Sequence, residues 1–188
     1  MDVDTQAVAT DGPTWHDCDS GLPGSVPANV RAWIALETSM TQALAQCFGA
    51  NVRVRVLADG AGSLYDDELG LLAARDGRGF VREVALDADG QPLLAARTVY
   101  VSAALRRRLA SLGQRPLGEL LFASGPPCRL RQQYALLSSD MPLSALATQA
   151  AADAREPCWA RRGLYRFERE ALLVTEVFLA PLLQRAPC

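Results

Sequence analysis

The chain has 188 residues, 49% of them hydrophobic and 21% charged, with a formal charge of −2. That is the composition of one globular domain with a sizeable core, and it argues against disorder. It offers no basic field for nucleic acid or an anionic membrane, and no apolar run reaches the ~18 residues of a membrane helix.

Residues 1–26 are rich in Asp, Gly and Pro without a period and read as a loosely ordered lead-in; residues 27–188 read as the domain. With no apolar h-region at the N-terminus, a cytoplasmic location is expected. Residues 28–48 predict one helix or two, with a break near Glu37–Ser39 and Gly49 as the stop. Residues 51–58 alternate Val52, Val54, Val56 against Arg53, Arg55, the signature of a half-buried strand. Residues 59–78, rich in Gly, Asp and Ala, read as a loop or flap with one short helical turn. Strands over 79–87 and 92–101 are joined at Asp89-Gly90, a hairpin signal.

Residues 102–112 predict a short helix with Ser102 as its N-cap and Leu105, Leu109 and Leu112 as its stripe. After Pro116-Leu117 and a Gly-Pro-Pro break at 125–127, residues 128–137 read as a strand and 142–154 as a helix. Residues 159–167 and 171–179 close the chain as a hairpin. Antiparallel strands with interspersed helices make the class α+β.

Two counts limit the chemistry. His16 is the single histidine and lysine is absent, so all 19 basic residues are arginine. A P-loop, a Schiff base and a multi-His metal site are thereby excluded. The five cysteines, Cys18, Cys47, Cys128, Cys158 and Cys188, are widely spaced without a CxxC pair and read as reduced, incidental thiols.

Three charges sit on apolar strand faces. Arg82 shares its parity with Phe80, Val84 and Leu86; Arg97 with Leu93, Val99 and Val101; Glu176 with Leu172, Val174 and Phe178. A buried charge needs a partner. One reading is an internal salt bridge from Glu176 to Arg82 or Arg97. The other is a polar pocket whose spare positive charge takes an anionic ligand such as a small carboxylate, through bidentate guanidinium contacts. Of Arg161-Arg162, one must point each way, so one is available to the pocket. Met40 fits core as well as ligand contact, and Gly118 either a close backbone approach or a turn.

Five stretches carry a resemblance: LETSMT (36–41), REVALDADGQPLLAARTV (82–99), LGQRPLGELLF (112–122), WARRGLYRF (159–167) and LLVTEVFLAP (172–181). In these the chain resembles the bacterial chorismate lyases, also called chorismate pyruvate-lyases. The resemblance implies an α+β fold of about six antiparallel strands, with helices and flap segments over an internal ligand site. It implies conversion of chorismate to 4-hydroxybenzoate and pyruvate, the first step toward the ubiquinone ring, with no metal or organic cofactor. It places substrate and product contacts on Met40, Arg82, Arg97, Leu117 and Glu176, with Arg82 and Glu176 catalytic. The family's Arg-Arg-Ser is here Arg161-Arg162-Gly163. A monomer without nucleic-acid or membrane partners is expected.

Effector-binding domains of some bacterial transcription regulators use the same fold to bind small ligands without turnover. About 28 residues precede the first helix, and these are expected to be too few for the DNA-binding module of such regulators. An enclosed site also needs moving segments, for which 59–78 and 37–40 are the candidates.

Overall fold

The computed structural model describes residues 12–49, 51–123, 125, 127–154 and 157–187. Residues 1–11 of the lead-in, Pro126 of the Gly-Pro-Pro break and Cys188 lie outside the described residues. In chain order the elements are β1 (His16–Asp17), α1 (Ala28–Ile34), α2 (Met40–Phe48), β2 (Val52–Ser63), α3 (Asp66–Leu72), β3 (Arg78–Ala88) and β4 (Gln91–Tyr100). There follow α4 (Ala103–Leu109), α5 (Leu117–Leu121), β5 (Cys128–Leu137), α6 (Pro142–Ala150), β6 (Cys158–Phe167) and β7 (Glu170–Phe178).

The strands form one antiparallel sheet in the order β1-β5-β6-β7-β4-β3-β2. Six are long, and β1 adds a two-residue edge. The hairpin between β3 and β4 turns at Asp89 and Gly90, with φ of 49° and 83°, left-handed values that favour these two residue types. Ser102 caps α4 as the sequence implied, its hydroxyl accepting from the Ala104 and Leu105 amides.

Each sheet face is covered by its own helices. On one, Val54, Leu86, Leu94 and Phe178 meet Val30, Trp33, Ile34 and Leu44 of α1 and α2; further along, Tyr100 and Leu172 meet Leu105 and Leu109 of α4. On the other, Ala85, Ala95, Ala160 and Val177 meet Leu143, Leu146 and Ala147 of α6, and Val81, Val99 and Leu173 meet Leu72 of α3. The small residues on this second face let α6 approach the sheet closely.

Two sequence expectations change here. Residues 59–63 are not loop: β2 continues through them, pairing Asp59 with Arg82 and Ser63 with Arg78. Strand pairing is a backbone property, so a run without apolar alternation can still carry it. Of the rest of the expected flap, Leu64, α3 and Ala74 pack on the second face. Within the expected lead-in, residues 12–26 include anchored positions. His16 pairs with Tyr134, Val26 is buried, and the Trp15 Nε1–H donates to Asp67 at 2.7 Å.

Candidate active site

The register of the sheet defines the floor of a pocket. Val84, Ala96, Glu176 and Arg161 stand abreast on β3, β4, β7 and β6. Beside them runs a second row, Arg82, Thr98, Val174 and Gly163. Arg82 and Glu176 are thus on one face, two strands apart, or roughly 10 Å by strand spacing. The walls come from the α1–α2 connection (Thr38, Ser39 and, opening α2, Met40 and Thr41) and from Arg115–Gly118 with Leu121 and Phe122. The space within, mouth included, is about 680 Å³.

The two walls touch at Ser39 and Gly118. A Cβ on Gly118 would stand 2.6 Å from Ser39 Oγ, so this glycine serves a close approach. Beyond Thr38, Phe122 and Tyr165 lies a second cleft, lined also by Glu37 and Arg129.

Arg82 is 3% exposed and donates Nη1–H to Asp59 at 2.7 Å and Nη2–H to the Gly113 carbonyl at 2.6 Å. Asp59 also accepts from Arg106 at 2.6 Å, so its charge is shared between two cations. Three of the five N–H groups of Arg82 have no protein acceptor among these contacts. Glu176 accepts from Arg161 Nε at 2.5 Å through Oε2. The Arg161 Nη1 donates on to the carbonyls of Trp33 and Leu36, at 2.8 and 2.9 Å. Arg161 therefore joins the Glu176 carboxylate to the chain that leaves α1 and forms a wall of the pocket.

Of the residues singled out from the sequence, Met40, Arg82, Leu117 and Glu176 line this one space. Arg97 does not. It projects from the opposite sheet face, because the register sets Arg97 across from Glu83 and leaves Arg82 across from Thr98. There it is 4% exposed and donates to both oxygens of Glu68, to Glu83 and to the Ser63 carbonyl, under the ring of Tyr65. Burial opposes the Arg97 charge, but the bonds to Glu68 more than offset it and the net shift is upward. The internal salt bridge of Glu176 runs to Arg161, and neither Arg82 nor Arg97 is its partner.

Arg162, on that far face as alternation requires, bonds Asp67 and Gln133 and stacks on Trp15 at 4.1 Å. Burial pulls its pKa down, against the pull of Asp67.

Sequence reasoning passed over Asp59, Thr98, Arg115 and Tyr165. Thr98 stands between Arg82 and Val174, which only the register reveals, and Tyr165 shares the parity of Arg161. The Tyr165 phenol is pushed up by burial and further by Glu176, with Arg161 and Arg129 opposing. Burial likewise raises the Cys18 thiol to about 11, which keeps it protonated at neutral pH.

The charged lining residues are thus Arg82, Arg115 and Arg161 against Glu176. Three guanidiniums and one carboxylate suit an anionic ligand that also offers a hydroxyl to the acid.

Comparison with known proteins agrees in family. The chorismate lyase family model matches residues 11–187. A protein of Methylococcus capsulatus named "Probable chorismate pyruvate-lyase" is 39% identical over 158 residues, 82% of this chain and 96% of that one. One of the same name from Thiobacillus denitrificans is 37% identical over 161 residues, 84% and 86% of the two chains. Among solved structures, the effector domain of PhnF from Mycobacterium smegmatis superposes with a TM-score of 0.52 over 78% of this chain and 91% of that one. At 17% identity that likeness concerns the fold alone. A family match spanning nearly the whole chain, joined to relatives above 30% identity over most of their length, establishes that this chain belongs to the chorismate lyase family.

Proposed function

We propose that this protein is a chorismate pyruvate-lyase, converting chorismate to 4-hydroxybenzoate and pyruvate as the first step toward the ubiquinone ring. The observation that carries the reading is the placement of Arg82 and Glu176 on one walled sheet face, two strands apart, in a chain of this family.

Chorismate carries one carboxylate on its ring and another on its enolpyruvyl arm. Arg82 holds the ring carboxylate with its remaining N–H groups. Glu176 accepts a hydrogen bond from the ring hydroxyl at the opposite end. The ether bond from the ring to the arm then breaks, and its electron pair leaves with the arm. A proton leaves the neighbouring, hydroxyl-bearing carbon, with Glu176 placed to take it. The enolpyruvate takes up a proton and becomes pyruvate, and the ring becomes aromatic.

Aromatisation supplies the driving force, so the protein's part is orientation and electrostatic support. Met40 and Leu117 open the two helices whose first turns wall the pocket, and both line it. No cofactor enters this account, and the enzyme acts in the cytoplasm as a monomer.

The test is incubation with chorismate in excess chelator, following 4-hydroxybenzoate by absorbance and pyruvate by a coupled assay. Equal amounts of the two are expected. Glu176→Ala should abolish turnover, and Glu176→Gln should keep product binding, since an amide still bonds a hydroxyl. Loss of activity in chelator with recovery on adding a divalent ion would overturn the cofactor-free reading. Binding of 4-hydroxybenzoate without any turnover of chorismate would instead favour an effector-binding role, like that of the PhnF effector domain whose fold it shares.

A further inference from the structure

Strand β6 carries a pair of residues whose geometry bears on what the pocket recognises. Arg161, Gly163 and Tyr165 alternate onto the pocket face, with Gly163 beside Val174 in the row of Arg82. A Cβ built on Gly163 would lie 2.6 Å from Cε2 of Tyr165 and 2.8 Å from both Cζ and the hydroxyl oxygen. The ring therefore leans back along its own strand and covers Gly163, with its hydroxyl end directed away from position 165. It occupies the volume that any side chain at 163 would fill. Both Tyr165 and its neighbours Arg161 and Glu176 line the cavity. Burial and the nearby Glu176 carboxylate keep the phenol protonated at neutral pH, as a donor.

Chemistry assigns a use to that donor. In chorismate the hydroxyl and the enolpyruvyl ether sit on adjacent ring carbons. With the ring carboxylate at Arg82 and the hydroxyl at Glu176, the arm projects past Glu176 toward one of its strand neighbours. On the β4 and β3 side these are Ala96 and Val84, which offer nothing to a carboxylate. The β6 side offers the Arg161 guanidinium and, folded over Gly163, the Tyr165 hydroxyl. We infer that Tyr165 is a further substrate-binding residue, admitted by Gly163, whose hydroxyl donates a hydrogen bond to the enolpyruvyl carboxylate of chorismate. This rests on the lyase reading above and adds to it a residue that distinguishes substrate from product, because 4-hydroxybenzoate has no arm.

The experiment compares chorismate turnover with 4-hydroxybenzoate binding by calorimetry. Tyr165→Phe, which keeps the ring, should lower kcat/KM for chorismate roughly tenfold, the loss of one hydrogen bond to a charged group. It should leave 4-hydroxybenzoate affinity within about twofold, a split that a merely structural defect would not produce. Gly163→Ser, which evicts the ring, should share that signature in the wild-type background and cost nothing further in a Tyr165→Ala background. If the wild type turns over chorismate and Tyr165→Phe matches it, or loses equally toward product, the inference is wrong and the lyase reading stands. A wild type without turnover overturns the lyase reading, and this inference with it.

Discussion

Arg82 and Arg97 are both nearly inaccessible to solvent, both lie on central strands of one hairpin, and both sit among apolar residues. Their different fates come from one register fact, that Glu83 and not Arg82 is paired with Arg97. The two substitutions should therefore fail differently. Arg97→Met strands Glu68 and Glu83 in a buried site, a loss of about 3–5 kcal/mol. For a chain of this size that lowers Tm by roughly 6–20 °C. Affinity for 4-hydroxybenzoate, measured below that transition, should stay near wild type. Arg82→Ala leaves Asp59 its second partner, Arg106, so the folded state suffers less. It should instead weaken 4-hydroxybenzoate by about 1.5–3 kcal/mol in calorimetry. A normal product affinity in Arg82→Ala would remove Arg82 from the ring-carboxylate role.

At the scale of elements, α3 is the piece that composition hid. It is seven residues long, its stripe is weak, and its stretch is dominated by Gly, Asp and Ala. A local capping bond from the Tyr65 amide to Glu68, 2.8 Å, starts it, and tertiary contacts hold it: Glu68 accepts from Arg97, while Asp67 accepts from Arg162 and Trp15. The segment carrying Trp15 and β1 belongs to the same arrangement, although nothing periodic announced it. Trp15→Ala should then destabilise by about 1–3 kcal/mol, from a lost cation–π contact and a lost hydrogen bond. Urea unfolding should show a lower midpoint at unchanged slope. An unchanged midpoint would mean that the stack on Arg162 adds nothing to stability. By contrast, α4 was legible in its Ser102 N-cap and in Leu105 and Leu109, which are local features, although it ends at Leu109, short of the expected Leu112.

For the whole molecule, the pocket lies between the sheet and segments that close on each other at Ser39 and Gly118. A ligand held there contacts sheet and walls together, so binding and folding are coupled. At one hundred times its dissociation constant, 4-hydroxybenzoate should stabilise by about 2.7 kcal/mol and raise Tm by roughly 5–10 °C. Pyruvate at the same concentration should not, because it cannot span from Arg82 to Glu176. Slow product release would follow from the same closure, with opening of the walls limiting turnover. Turnover without any thermal shift from 4-hydroxybenzoate would show that product is not retained.

The amino-acid order alone determined the six long strands in outline, where the Asp89-Gly90 turn fell, and that Arg82, Arg97 and Glu176 stood on apolar parities. Those are local properties, readable from alternation, turn chemistry and the cost of burying charge. It also carried the motifs of the family to which the chain belongs. Tertiary structure alone decided which parities coincide. Alternation assigns each strand two faces but does not say which face of one strand continues which face of the next; only the hydrogen-bond register does. That register brought Arg161, not Arg97, to Glu176 and sent Arg97 to the far face. It also made a strand of residues 59–63, and it let Tyr165 fold over Gly163, a contact whose consequence depends on what stands across the sheet.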